Sequence, residues 1–284
     1  MIFDDIPYEY PVKRRVVIIG DIHGDIKRLK TILIDASIIN KDLEWIAEPP
    51  DTFIVQVGDQ IDSANRMPGI KEWEVIDDIS VIHFMNSLDN IARAKGGRVI
   101  SLIGNHELMN TMGNFSYVSK NSNISYRDKY FAPGGSLSPI LSKRPIVLKI
   151  GSLFFCHAGV KRNQLDILDK YEKDISYLND VWKNYILNNK LDQIDTDIFN
   201  QIMLDDNGIL WTREIDSEND IQYVLDKLKC SYIFVGHNTV DSIKLYQNKI
   251  WFTDNGISRA YSFKQYQYID VNNFKISVKT INDE

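Results

Sequence analysis

The sequence predicts an α/β protein, because short apolar runs typical of buried strands alternate with longer stretches of helical periodicity. Between the runs, residues 26–39 and 72–94 place apolar side chains at helical spacing. A continuous apolar run of this length is typical of a strand buried on both faces. Alternating strands and helices indicate a sheet covered by helices. Five such runs lie at residues 16–19, 53–57, 99–103, 153–156 and 232–235.

The second half of the chain adds further strand-like runs, which predict a mixed sheet system that extends to two sheets. Residues 110–145 are rich in glycine and proline and predict loops with short helices. Residues 162–229 have helical character and no clean linker. We expect one domain over residues 1–284 with a helical insertion near 162–229, and a boundary near 160 is the alternative. The added runs lie at residues 146–150, 243–247, 250–253 and 266–271.

Composition excludes several classes of protein. The chain has 284 residues, with 44% hydrophobic and 25% charged side chains, which is typical of a globular protein. The net charge is −6 and no Lys/Arg stripe is present, so no nucleic-acid footprint is expected. The short patch at residues 13–15 is interpreted as a solvated strand entrance.

The same composition predicts a cytoplasmic location. The acidic N-terminus is not typical of a signal peptide. No apolar run approaches the ~18 residues that a membrane span needs. Cys156 and Cys230 lie in apolar runs, which favours free thiols over a bridge and a reducing compartment.

Each of the five runs is followed by residue types that bind metals. The carboxyl ends of strands in α/β sheets are where sites form, so these side chains are expected to converge. Four of the five histidines of the chain belong to this set, and the fifth, His83, is interpreted as an ordinary helix residue. The set consists of Asp21, His23, Asp59, Asn105, His106, His157 and His237.

A shared metal site explains this set better than unrelated structural roles. Taken alone, the GDIHG motif equally fits a strand–turn–helix with Asp25 as N-cap. Mixed carboxylate, imidazole and amide ligands suit Mn²⁺, Fe²⁺ or Zn²⁺. Two ions ~3.5–4 Å apart can clamp a phosphoryl group. Asp59 lies between the two ligand sets in chain order and is the candidate bridging ligand.

The ordered motifs GDIHG, GDQID, GNHE, HAG and GHN span residues 20–238 and resemble those of the calcineurin-like metallophosphatases, in particular the phosphoprotein-phosphatase branch. GNHELMN, FAPGGSLSPIL and LWTR further resemble the bacterial-type Shewanella-like phosphatases. The resemblance implies two mixed β-sheets packed as a sandwich and flanked by helices. It also implies two divalent ions, with Mn²⁺ expected and Fe or Zn as alternatives.

The resemblance also implies a role for each site residue. A hydroxide that bridges the metals would attack the phosphate, and Asn105 would also contact that phosphate. His106 would protonate the leaving alkoxide and Asp62 would orient His106. The first metal would be held by Asp21, His23 and Asp59, and the second by Asp59, Asn105, His157 and His237.

Of two departures from the family pattern, one affects phosphate binding and the other separates subfamilies. The usual GDxxDRG motif is altered because Ser63 replaces the phosphate-binding arginine. Arg66 lies three residues on and is either its replacement or a surface side chain. Arg213 matches a phosphate-binding arginine of the related group, with an ion pair beside Trp211 as the alternative. Thr239 replaces the second histidine of the Gly-His-x-His pattern of phosphodiesterases, which favours the phosphatase branch.

Three functions follow from these motifs. The leading hypothesis is a phosphomonoesterase that acts on phosphorylated protein or a small phosphate ester. The alternative is a dinucleoside polyphosphate hydrolase. A third, an inactive phosphoprotein-binding scaffold, is disfavoured because His106 and Asp62 are retained.

Overall fold

The computed structural model describes residues 6–66, 78–120, 122 and 124–283, and these residues form two mixed β-sheets. In spatial order, the five-stranded sheet contains β11 (Lys275–Asn282), β10 (Gln265–Asn272), β2 (Arg15–Ile19), β3 (Phe53–Gln56) and β4 (Arg98–Ser101). The six-stranded sheet contains β1 (Glu9–Tyr10), β5 (Leu148–Ile150), β6 (Leu153–Phe155), β7 (Tyr232–Val235), β9 (Ile250–Phe252) and β8 (Lys244–Tyr246).

Both sheets mix parallel and antiparallel pairs. β2, β3 and β4 run parallel to one another, and β10 pairs antiparallel with β2 and β11. β6, β7 and β9 are parallel, while β5 and β8 pair antiparallel with β6 and β9. The α/β class and the mixed sheets predicted from the sequence are therefore confirmed.

Helices cover the outer faces of both sheets. The helices are α1 (Ile26–Asp35), α2 (Ile79–Arg93), α3 (Asn105–Thr111), α4 (Ile124–Phe131), α5 (Ser138–Leu141), α6 (Arg162–Lys170), α7 (Tyr177–Asn188), α8 (Gln193–Ile198) and α9 (Glu218–Leu228). A π-helix (Phe199–Leu204) continues α8, and a 3₁₀ turn (Arg259–Tyr261) precedes β10. None of the helices in the described part of the chain is long and apolar enough to cross a membrane.

Alternation along the central strands produces three apolar layers. Val16 and Ile18 of β2 face the other sheet, whereas Val17 and Ile19 face α1 and α2. Phe155 and Phe234 of the six-stranded sheet stack at 5.1 Å within the layer between the sheets. The third layer joins the outer face of the six-stranded sheet to α6, α7 and α9. The structure is therefore the sandwich flanked by helices that was expected.

The strand and helix positions agree with the sequence analysis to within a few residues, with two exceptions. β1 was not predicted because it is only two residues long. β11 was not predicted because its apolar residues alternate with exposed polar and charged residues. Of the second helical period, residues 72–77 lie outside the described residues and α2 begins at Ile79. The expectation of a single domain with a helical insertion stays a prediction.

Arg15 corrects the interpretation of the basic patch. Its side chain is buried rather than solvated. Its guanidinium donates to both carboxylate oxygens of Asp270 on β10, at 3.1 and 2.8 Å, and to the carbonyl of Ala36 at 2.7 Å. The partners of Arg15 are distant in sequence, so the local charge pattern did not show them.

Candidate functional site

The loops that follow five strands meet at one edge of the sandwich. Asp21 and His23 follow β2, and Asp59 follows β3. Asn105 and His106 begin α3 directly after the loop that follows β4, and His157 and His237 follow β6 and β7. All seven side chains are buried. The structure therefore brings together the whole set that the strand-end pattern singled out.

Three of these residues have left-handed backbone conformations. His23, Asp59 and His237 have φ angles of 43°, 53° and 61°. Such angles are uncommon for residues with a side chain, and they concentrate at functional sites. The carbonyl of Asp59 accepts the N–H of Ile22 at 2.9 Å and of His23 at 3.0 Å, so the two loops support each other.

Glu107 is a buried residue whose role the sequence analysis missed. Its carboxylate accepts three backbone N–H groups, from Asp59 at 2.9 Å, Gln60 at 2.8 Å and Gly104 at 2.8 Å. Burial, and then the nearby Asp59 carboxylate, raise the pKa of Glu107. The available sequence signal was its position three residues into α3, where an acidic residue often caps a helix.

Two groups of ligand atoms share Asp59. The imidazoles of His23 and His106 form one group with it, and those of His157 and His237 form the other. Within each group the candidate ligand atoms lie within 4.8 Å of one another. An aspartate common to both groups is what a bridging carboxylate of a two-metal centre requires.

The tautomers of the second group show that it fits a cation. Nδ1 of His157 lies 2.9 Å from the carbonyl of Val57, and Nε2 of His237 lies 2.9 Å from that of Trp211. A carbonyl only accepts, so these two nitrogens carry the protons. The remaining lone pairs face Oδ1 of Asn105 at 2.9 and 3.0 Å. Acceptors that converge in this way fit a metal ion between them.

The first group has the same character. Nδ1 of His23 lies 3.1 Å from the carbonyl of Ile61, which leaves Nε2 to face Oδ2 of Asp21 at 4.0 Å. Oδ1 of Asp21 is buried and has no hydrogen-bond partner among the described residues. Burial, and then the carboxylates of Asp254 and Asp59, raise the pKa of Asp21 well above its ordinary value. A divalent cation would relieve this crowding of buried negative charge.

The surroundings of Asp59 favour the ionised form of its carboxyl group. Burial opposes ionisation, but the imidazoles of His157, His106 and His23 hold the pKa of Asp59 well below its usual range. Its Oδ2 lies 3.3 Å from Nε2 of His157 and 3.8 Å from Nε2 of His106. Its Oδ1 accepts the backbone N–H of His106 at 2.9 Å.

His106 is oriented by a chain of buried hydrogen bonds. Its Nδ1 lies 2.9 Å from Oδ2 of Asp62, so Nε2 is the nitrogen left for a substrate. Oδ1 of Asp62 accepts from Arg127 at 2.8 Å, and Oδ2 accepts from Asn110 at 2.8 Å. Arg127 also donates to both carboxylate oxygens of Asp78, at 2.7 and 2.8 Å. The sequence analysis found Asp62 but missed the three residues behind it.

Arg66 reaches into the centre of the site. Its Nη1 lies 3.2 Å from Nε2 of His23 and 3.2 Å from Nε2 of His106. Its guanidinium stacks 4.9 Å above the ring of Tyr117, which also packs edge-on against His106 at 5.0 Å. Of the two hypotheses for Arg66, this position favours a contact with the substrate.

Arg213 lies at the rim of the site. Its Nη1 donates to the carbonyl of His237 and to Oδ1 of Asn238, both at 3.2 Å. Glu214, the next residue in the sequence, pairs with Lys161 at 3.1 Å. Arg213 is therefore held against the loop that contains His237, at the rim of the cleft.

The site opens into a cleft of ≈ 780 Å³. Arg66, Tyr117, Asp206, Trp211 and Arg213 are among the residues that line it. The volume is within the range of ordinary ligand sites, and the floor is the cluster of ligand residues.

Comparison with known proteins agrees with this geometry. The family model for calcineurin-like phosphoesterases matches residues 14–241. The chain is 28% identical over 284 residues to "Shewanella-like protein phosphatase 1" of Plasmodium berghei (strain Anka), covering 92% of this chain and 73% of that protein. It is 32% identical over 106 residues to "Shewanella-like protein phosphatase 2" of Arabidopsis thaliana, covering 37% of this chain and 24% of that protein.

A solved structure shares the fold. The cold-active protein-tyrosine phosphatase of a psychrophilic Shewanella species superposes with a TM-score of 0.78 at 23% identity. The superposition covers 98% of this chain and 83% of the other. At this level of identity the likeness concerns the arrangement of sheets and helices.

Proposed function

Because the chain belongs to the calcineurin-like phosphoesterase family, and is therefore a phosphoesterase-type hydrolase, we propose that it is a dinuclear-metal phosphomonoesterase that acts on phosphorylated proteins. The observation that carries this proposal is the pair of ligand groups that share Asp59 at the floor of the cleft. The names of the relatives, which are protein phosphatases, support the choice of substrate class.

In the proposed site, Asp21, His23 and Asp59 hold one divalent ion, and Asp59, Asn105, His157 and His237 hold the other. When bound, the ions would activate water as the nucleophile and neutralise charge on the phosphoryl group. Manganese is our first candidate, with iron and zinc as alternatives, because the donor set mixes carboxylate, amide and imidazole.

His106 is the residue that would protonate the leaving group. Its Nδ1 faces Asp62, so a doubly protonated imidazole would present an Nε2–H to the leaving oxygen. The carboxylate of Asp62 stabilises the charged imidazole, and its own position is set by Arg127 and Asn110. A binding scaffold would have no use for an acid oriented in this way.

Substrate phosphate is bound by the cations of the cleft. Arg66 supplies the positive charge of the family arginine that Ser63 replaces. Because its guanidinium already stacks on Tyr117, Arg66 loses little side-chain freedom when it binds phosphate. Arg213 also lines the cleft, beside the carbonyl of His237. Asn105 also lines the cleft and adds an amide.

A substrate panel tests this proposal. With added Mn²⁺, the protein should hydrolyse p-nitrophenyl phosphate and phosphopeptides with a higher kcat/KM than diadenosine tetraphosphate. An Asp59→Asn variant should lose turnover on every substrate, and a His83→Asn variant on the exposed face of α2 should keep it. A preference for the tetraphosphate would replace our assignment with the dinucleoside polyphosphate hydrolase. Phosphopeptide binding without turnover, on metal-loaded protein, would indicate the scaffold.

A further inference from the structure

A second cavity, away from the cleft, lies between α2, the end of β4 and the turn that follows α5. Its volume is ≈ 30 Å³, which exceeds the ~10–15 Å³ that one water molecule needs. Its walls carry the cations Arg93, Arg98, Lys143 and Arg144. Asp89 is the acidic side chain among the lining residues that the structure describes.

Arg144 is buried in this wall without a counterion. Its side chain is 5% exposed, and Nη2 donates to the carbonyl of Ile82 at 3.1 Å. Its Nε is buried with no hydrogen-bond partner, and Arg144 forms no ion pair within the described ranges. Burial lowers the pKa of Arg144 to about 10, against the opposing charges of Glu107 and Asp89, so the guanidinium is still charged at neutral pH. An unpaired buried charge is strongly unfavourable.

Ser101 brings a second unpaired group to the same cavity. It ends β4 and is 3% exposed, and its Oγ has no hydrogen-bond partner in the described structure. The hydrogen bonds of Asp89 go to other residues than Arg144 and Ser101. Its two oxygens bind Nε and Nη2 of Arg98 at 2.9 and 3.1 Å, and Oδ1 also accepts the N–H of Val99 at 2.7 Å.

We propose that this cavity binds a compact inorganic oxyanion of the size of phosphate or sulfate, with Arg144 and Ser101 as its donors. An oxyanion accepts hydrogen bonds from both groups and supplies the negative charge that Arg144 lacks. The volume of ≈ 30 Å³ suits a group of this size better than a nucleotide. The assignment does not depend on the proposed function, although orthophosphate is also the product of that reaction.

Bound there, the anion would join two segments, one of which is already hydrogen-bonded to a third. Arg144 belongs to the turn after α5, Ser101 ends β4, and the carbonyl of Ile82 belongs to α2. Asn105 begins α3 four residues after Ser101. The anion would therefore stabilise the strand that leads into the site without touching the site itself.

The test is thermal unfolding of the metal-loaded full chain in sulfate, phosphate or chloride at equal ionic strength. For the wild type, sulfate and phosphate should raise Tm in a saturable way and chloride should not. Arg144→Met and Ser101→Ala should each weaken this apparent affinity by about tenfold or more, the loss expected for one charge-assisted hydrogen bond. Arg144→Lys should restore it in part, because the charge returns without the Nε–H.

Turnover separates this cavity from the cleft. The constant for phosphate inhibition of p-nitrophenyl phosphate hydrolysis should be unchanged in Arg144→Met and Ser101→Ala. Arg213→Ala, a change in the cleft, should leave the Tm response in place. The proposal is overturned if Arg144→Met and the wild type respond alike, if chloride acts as well as sulfate, or if Arg213→Ala removes the response. Where Arg144→Met does not fold, Ser101→Ala and Arg144→Lys decide.

Discussion

The carboxylate of Glu107 accepts the backbone N–H of Asp59 at 2.9 Å. Asp59 has a φ of 53°, a conformation that its surroundings must enforce. The same carboxylate also accepts the N–H groups of Gln60 and Gly104, at 2.8 Å each. A single buried side chain thus holds the loop that contains Asp59 against the loop that begins α3.

Replacing Glu107 by glutamine should therefore destabilise the protein and loosen the metal site. The amide would turn an N–H₂ toward backbone donors, and one buried unsatisfied group costs ~1–3 kcal/mol. Chemical denaturation should show this loss, and metal titration should show weaker binding. The matched control is Glu218→Gln, where the carboxylate is 66% exposed and the expected change is within about 0.5 kcal/mol. If the two variants were equally stable, Glu107 would not be the residue that holds these two loops together.

Activity should depend on bound metal, and Asp59 should be the ligand most sensitive to change. Asp59→Asn removes the carboxylate that both ligand groups share, whereas Asp21→Asn removes one that lies beside His23 alone, 4.0 Å from its Nε2. Since loss of a mere supporting partner costs ~10–100-fold in affinity, loss of the shared ligand should cost more. Metal content and Mn²⁺-restored turnover after chelation measure both effects. Full activity of verified metal-free protein would falsify the metal assignment.

Metal affinity should fall as the pH falls. Burial disfavours a charged imidazole, but the carboxylate of Asp59 overcomes this and raises the pKa of His157 above its ordinary value. The metal binds the neutral ring, so a proton competes with it at any pH below that raised pKa. Where this single proton is displaced, affinity should drop about tenfold per pH unit. Mn²⁺ isotherms from about pH 8 to about pH 5 check this, and a flat profile contradicts it.

The His106→Asn variant should keep its metals and lose turnover. The acid is removed, while the backbone N–H that Asp59 accepts remains. The loss should be ~10²–10⁴-fold on alkyl phosphates and smaller on aryl phosphates, whose leaving groups need less protonation. Metal content, measured beside kcat for both substrate types, separates the acid from a ligand. Identical losses on the two types would mean that His106 does not protonate the leaving group.

Both cleft arginines should contribute to phosphate binding, with Arg66 at least as important as Arg213. Arg66 Nη1 lies 3.2 Å from the imidazoles of His23 and His106, whereas Nη1 of Arg213 already bonds two oxygens at the rim. Arg66→Ala should lower kcat/KM by more than ~10²-fold, as for loss of one preorganised donor. Lysine at either position should rescue only part of the loss.

The readout that distinguishes binding from folding is inhibition by inorganic phosphate. Its inhibition constant should rise in Arg66→Ala and Arg213→Ala while both metals stay bound. A matched control is Arg162→Ala, whose side chain pairs with Asp220 at the surface. An unchanged inhibition constant in either cleft variant would mean that its arginine supports the fold only.

The positions of the candidate ligand side chains could be predicted from the sequence, because they depend on local sequence features. An apolar run followed by Gly-Asp, Gly-Asn or His marks a strand end and a sharp turn at the same time. Parallel strands place such ends at one edge, so Asp21, Asp59 and His237 could be assigned to one site before any contact was known. The same local logic predicted Asp25 as the N-cap of α1, and its side chain does accept the N–H of Arg28 at 3.2 Å.

What holds these ligands in place was decided by contacts between distant segments. The Arg127–Asp62 pair is separated by 65 residues, and the Arg15–Asp270 pair by 255. Neither hydrophobic periodicity nor motif spacing predicts such pairs, because each pair depends on how helices and loops pack after the sheets form. The unpaired Arg144 belongs to the same class, since burial without a partner is a property of the packed chain alone. The sequence by itself determined that the candidate ligand residues follow strand ends, and the tertiary structure decided their orientation, their charge and their support.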